Sequence, residues 1–172
     1  NVIKEEKYDI KEVNGIKLHY NKWSVDKYID NVLVEESHQN GIIIKYSYYP
    51  SGQLLSKETF EDGKIITIEV FNNKGYLIEI QHYEWKKSTL VEKSVTKYKY
   101  CLNNLKIEEI ITEESNNKST EFVKTYIYTQ ERLSEVIQNG EQIVKCHYND
   151  YGDLIEQTFL GTKEKFEYLE YD

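Results

Sequence analysis

Residues 148–156 read YNDYGDLIE: an aromatic, a short polar tract closing on Gly152, then the apolar pair Leu154 and Ile155. Glycine enters positive φ without steric cost, so the stretch reads as the end of one β-strand, a reversal and the start of the next. The same order recurs upstream, where Gly52 in GQLLS and Gly75 in GYLIE also stand two residues before a leucine. Gly15, Gly41, Gly63, Gly140 and Gly161 form a second class, four of them in Asn-Gly or Asp-Gly pairs. Such pairs are the strongest short signal for a two-residue hairpin turn, which needs positive φ at both central positions.

The two classes alternate. Glycines at 41, 52, 63 and 75 lie 11, 11 and 12 residues apart, and those at 140 and 152 lie 12 apart, so a strand of about seven to nine residues fits between turns. Aligned on these turns, first strands end in alternate aromatics: Tyr46 and Tyr48, Tyr98 and Tyr100, Tyr126 and Tyr128, with Phe71 and Tyr148 in the same last place. Second strands open on Leu33, Leu54, Leu77, Leu105, Leu133 or Leu154. The expectation is an all-β chain, an array of about six antiparallel β-hairpin repeats forming a long twisted or spiralling sheet, with residues 1–172 as a single repeat domain. No glycine occurs between Gly75 and Gly140; Asn103-Asn104 and Asn116-Asn117 stand in, asparagine being the next-best residue for positive φ. Residues 21–31 read as a long turn, and Val25, Ile29 and Val32 or Leu33 fall at helical spacing behind Ser24, which allows one short helix near 24–31. Residues 1–13 resemble a second strand without its first, and 166–172 a first strand without its second, so the edges need covering by charge, closure or a partner.

Composition agrees with this. Sixteen tyrosines against one proline and no methionine favour pleated, half-buried strands, and 39% hydrophobic with 30% charged residues is a globular rather than a disordered balance. With 30 acidic and 22 basic residues the net charge is -8, which argues against a nucleic-acid partner and favours a basic one. No apolar run reaches the roughly 18 residues of a transmembrane helix. The chain begins at Asn1: removal of a signal peptide would place it in the bacterial cell envelope or outside the cell, and otherwise it belongs in the cytoplasm. Cys101 and Cys146 have no metal-ligand spacing and read as separate buried thiols.

The order glycine, aromatic-x-aromatic, turn, Gly-x-Leu resembles the YD (Rhs) repeat, whose usual form is close to GxxxxYxYDxxGxLxxxT. It is carried by GEQIVKCHYNDYGDLIEQT at 140–158, NGIIIKYSYYPSGQLLSKET at 40–59 and DGKIITIEVFNNKGYLIEI at 62–80. The chain departs from the pattern after the aromatic, where Tyr49, Asn72, Cys101, Thr129 and Asn149 replace the usual aspartate. More loosely, it is similar to the Gly-punctuated hairpin arrays of MORN-type antitoxin proteins. The resemblance implies an antiparallel sheet of the kind that builds shells around toxins, or a member of a toxin–antitoxin pair.

Signatures of catalysis are missing: no GxSxG, P-loop, GxGxxG after a strand, or HExxH. His19, His38, His82 and His147 share no ligand spacing. No catalytic, cofactor or metal residues are therefore assigned. Trp23 and Trp85 fall in the two longest expected loops and are the first candidates for contact with a partner. Glu35, Glu79, Glu135 and Glu156 each follow an anchor leucine by two residues, so strand alternation places them on that leucine's face as a candidate acidic surface for a basic partner. The resulting expectation is a non-enzymatic protein-binding module, toxin-immunity or cell-surface related; the alternatives are a fragment of a YD-repeat shell, or a carbohydrate-binding module using exposed tyrosine and tryptophan.

Overall fold

The structure is a computed structural model that describes residues 9–115 and 118–167. These form fifteen strands: β1 (Asp9–Val13), β2 (Ile16–Tyr20), β3 (Ser24–Ile29), β4 (Val32–His38), β5 (Ile42–Tyr48), β6 (Leu54–Glu61), β7 (Lys64–Phe71), β8 (Leu77–Lys86), β9 (Thr89–Tyr100), β10 (Lys106–Ser115), β11 (Lys118–Thr129), β12 (Arg132–Gln138), β13 (Glu141–Tyr148), β14 (Leu154–Phe159) and β15 (Thr162–Lys165). The strands are ordered in the sheet as in the chain. Contacts divide the chain at Ser94 and Val95, inside β9, into two compact units. In the first, β1 to β8 pair antiparallel, each with its neighbours in sequence. In the second, β10 to β15 do the same.

Two turn types make ten of the reversals. Six are two-residue turns with both central φ positive: Asn14-Gly15, Asp30-Asn31, Asp62-Gly63, Gln130-Glu131, Asn139-Gly140 and Leu160-Gly161. The other type is a five-residue loop. In residues 49–53 the Tyr49 N–H donates to Gln53 O and the Gly52 N–H to Tyr49 O, both at 2.8 Å, and the same pair of bonds recurs in 72–76, 101–105 and 149–153. The residue that must turn left-handed is glycine in three of these loops and Asn104, at φ 64°, in the fourth. Asparagine thus takes the glycine's place at 104, as its residue type suggests; the Asn116-Asn117 substitution lies outside the described residues.

Fifteen strands replace the expected array of about six hairpins. The leucine-marked hairpins correspond to the twelve strands β3 to β14, and β1, β2 and β15 are additional to them. The short helix expected near 24–31 is likewise overturned, because Ser24–Ile29 is strand β3, paired on both sides with β2 and β4. Two ladders of backbone hydrogen bonds outweigh a helix of two turns, which is marginal in isolation. Val25 and Ile29, four apart, share a strand face as readily as a helical one.

Leu54, Leu77 and Leu154 open their strands as expected, Leu33 and Leu133 stand second in theirs, and Leu105 closes the loop before β10; the five leucines in strands are each followed by a bulge. Tyr48 pairs with Leu54 while Ser47 pairs with Ser56, leaving Leu55 as the extra residue. Phe71/Leu77, Tyr148/Leu154, Tyr28/Leu33 and Tyr128/Leu133 are followed by the same shift. An extra residue interrupts the ladder and reverses the alternation of faces beyond it. A tyrosine hydroxyl fills the interruption: Tyr48 donates to Leu33 O at 2.7 Å and Tyr148 to Leu133 O at 2.8 Å.

The sheet has almost no interior. Among the described residues only Val136, 5% exposed, and Ser24, 8% exposed, are buried. Among the described residues the outermost strands carry charge: β1 reads DIKEV and β15 TKEK, both exposed throughout, and charged side chains oppose edge-to-edge association.

Candidate protein-interaction surface

Cross-strand side-chain pairs help to hold this sheet, and Tyr–Glu pairs recur at one position. In the first unit Glu36 faces Ile44, and the Tyr46 phenol, two residues further on, is under the influence of the Glu36 carboxylate. His38 Nε2 lies 3.3 Å from Glu36 Oε2. In the second unit Glu109 faces Lys124, and Tyr126 donates to Glu109 Oε2 at 2.6 Å. Lys106 Nζ donates to the same oxygen at 2.9 Å and lies 4.3 Å from the centroid of the Tyr126 ring. The next repeat carries Val136 and Cys146 at these two places, and there the sheet has its buried residue.

These environments shift the ionisations. Burial, then the Glu36 carboxylate, pushes the Tyr46 phenol up to about 12. Burial would raise Glu109, but hydrogen bonds from Tyr126 and Lys106 outweigh it and hold the carboxyl below its ordinary value. For Lys106 burial acts downward, and its hydrogen bonds to Glu109 and Tyr126 carry the ammonium above its ordinary value. Burial also raises the Cys146 thiol, against a hydrogen bond with Tyr148 that lowers it. Both cysteines are half-buried and free. The clusters lock strands together, and sequence spacing did not reveal them because Tyr126 and Glu109 are 17 residues apart.

The two tryptophans part company. Trp23 stands in the β2–β3 turn, 62% exposed. The turn beneath it is braced: Asn21 Oδ1 accepts from the N–H groups of Trp23 and Ser24, both at 2.7 Å, and the Gln39 N–H donates to Trp23 O at 3.0 Å. Lys22 Nζ lies 4.6 Å from the Trp23 ring centroid. Trp85 is in β8 rather than a loop; its Nε1–H donates to Ile65 O at 2.7 Å and its half-buried ring walls a hollow of about 380 Å³ with Lys64, Ile66 and Tyr83.

Nor do the four glutamates share a face with their leucines. The bulge after each leucine carries Glu35, Glu79, Glu135 and Glu156 to the opposite face, where they face Lys27, Val70, Ile127 and His147. Glu35 also faces Lys45, and Lys45 faces Glu58, giving a ladder Lys27–Glu35–Lys45–Glu58 of alternating sign across four strands. Glu135 faces Lys145, and Glu156 faces Lys165 and sits 3.3 Å from Lys163 Nζ. Gln81 Nε2 donates to Glu79 at 2.5 Å. Lysines beside three of the four divide the acidic positions.

A second hollow, of about 450 Å³, lies in the second unit and includes Arg132, Ser134, Cys146, His147 and Tyr148. Arg132 is the chain's single arginine, the one trace of it in the sequence. Among the described residues no three His, Cys, Asp or Glu side chains are grouped to hold a metal ion, and no helix is long and apolar enough to cross a membrane.

No protein-family model matches the chain, and no curated protein matches it. Among solved structures it is similar to TcdB2-TccC3-TEV, at 12% identity and a TM-score of 0.26, over 84% of this chain and 11% of that one. It is similar also to TcdB2-TccC3 without its hypervariable C-terminal region, at 12% identity and a TM-score of 0.27, over 83% and 11%. The chain thus spans about a ninth of the length of those chains. Likenesses at this level bear on neither the activity nor the partners of the present chain.

Proposed function

We propose that the chain is a non-enzymatic protein-binding repeat module, serving toxin immunity or cell-surface recognition in bacteria, with Trp23 as its anchor. The observation that carries this reading is an exposed indole on a turn already braced by Asn21 and Gln39. A large aromatic held in place before contact loses little entropy on binding, and tryptophan is enriched at the centres of interfaces. A sheet open on both faces adds contact area in the manner of other repeat arrays. The glycan alternative gains nothing from the tyrosines at 48, 128 and 148, whose hydroxyls are committed to main-chain carbonyls.

The test is calorimetric titration of the chain against purified products of its neighbouring genes. For a cognate partner, Trp23→Ala weakens binding by at least about tenfold, as for an interface hot spot, and leaves the melting curve in place. Trp85→Ala lowers the melting temperature, because it removes a cross-strand tie. A partner bound equally well by wild type and Trp23→Ala overturns the anchor; failure of every neighbouring product to bind overturns the module reading.

A further inference from the structure

We propose that the hollow around Arg132 is a receptor for a carboxylate group. The guanidinium lies over Tyr148, its central carbon 5.9 Å from the ring centroid. Gly152 leaves room for it: a Cβ there would stand 1.9 Å from Nη2, displacing the arginine. Arg132 is half-buried, yet among the described residues it takes part in no ion pair and no hydrogen bond. Asp150 lines the same hollow, yet no carboxylate among the described residues makes an ion pair with the guanidinium. Thr129 also lines the hollow, where Ser134 already donates to Ile127 O and Asn149 to the Asp153 carboxylate.

A guanidinium, planar by its own resonance, presents two parallel N–H donors that match a carboxylate's two oxygens, and the ring beneath limits its orientation. Charge selects the ligand. One cation, with Asp150 also lining the hollow, suits a singly charged planar acid and under-neutralises a phosphate dianion. The carboxylate comes from a free small acid or from the C-terminus of a peptide, and the two carriers share this chemistry.

Because the chain has one arginine, its Nε–H gives a single side-chain signal in a proton–nitrogen correlation spectrum. Full-length protein is titrated at constant ionic strength with benzoate, benzamide, inorganic phosphate, and one peptide as free acid and as C-terminal amide. A saturating shift of the Arg132 signal is expected with benzoate or the free-acid peptide, and none with benzamide or the amidated peptide. Saturation by benzoate alone identifies a small acid, and tighter saturation by the peptide identifies a chain terminus. The backbone amide of Ser134 reports the same binding in variants: Arg132→Gln abolishes it and Arg132→Lys weakens it at least about fivefold, since lysine keeps the charge and loses the fork. Equal responses to acid and amide, a stronger response to phosphate, or unchanged binding by both variants overturns the assignment.

Discussion

The Tyr48 hydroxyl donates to Leu33 O across 2.7 Å, tying the end of β5 to the bulge at the start of β4. Tyr148 and Leu133 stand in the same relation, at 2.8 Å and again 15 residues apart. The last aromatic of the repeat therefore closes a gap that the bulge itself creates. Replacing Tyr48 or Tyr148 by phenylalanine keeps the ring and removes the bond, at a cost of about 1 kcal/mol each. Urea unfolding of the two variants measures it, and an unchanged midpoint would show that the hydroxyl does not stabilise the sheet.

Turn chemistry offers a gain. Gln130 and Glu131 occupy positive φ of 52° and 63°, which neither residue favours. Gln130→Asn with Glu131→Gly restores the residues suited to the turn and should stabilise the second unit by about 0.5–1 kcal/mol, less what is lost with the Asn103–Glu131 hydrogen bond. Asn104→Ala, at φ 64°, should cost about 1 kcal/mol. Thermal unfolding of both variants gives the two signs.

Glu109 gathers Tyr126, Lys106 and Lys124, with its side chain 13% exposed. Glu109→Gln leaves the half-buried Lys106 ammonium without its counter-charge and should destabilise by about 1–3 kcal/mol. Because the folded carboxyl titrates below its unfolded value of 4.5, its contribution is complete above that pH and is lost as pH falls through the lower folded value. Wild type should lose stability in acid more steeply than Glu109→Gln, as read from urea midpoints along a pH series.

Tyr46 gives the opposite limb. Its phenol moves from 10.0 to about 12, so the folded state holds the proton more tightly than the unfolded chain. The contribution is complete below pH 10.0 and disappears as pH rises to about 12. Tyr46→Phe should flatten this alkaline decline, and the 295 nm phenolate absorbance should show one fewer late-titrating tyrosine than wild type.

Much of the strand pattern was legible in the residues. Asn-Gly and Asp-Gly pairs, the glycines two before a leucine and the asparagine at 104 act through their own φ preferences, a local property that needs no partner strand. The turn at Gln130-Glu131 was placed only by its flanks, Tyr128 and Leu133: nothing in its own side chains asks for positive φ, and the pairing of β11 with β12 imposes it. Trp23 was visible as a turn residue, whereas Trp85 stands in strand β8 with its indole bonded to Ile65 O.

By itself the sequence determined an all-β chain that reverses at glycine and asparagine corners, because turn conformation is decided within a few bonds. Only the tertiary structure decided which way the side chains face: a bulge exists only between two paired strands, and it sent Glu35, Glu79, Glu135 and Glu156 to the face opposite their leucines. It also decided that Arg132 meets Tyr148 and Gly152, since side chains 16 and 20 positions apart are joined only by the register of β12, β13 and β14.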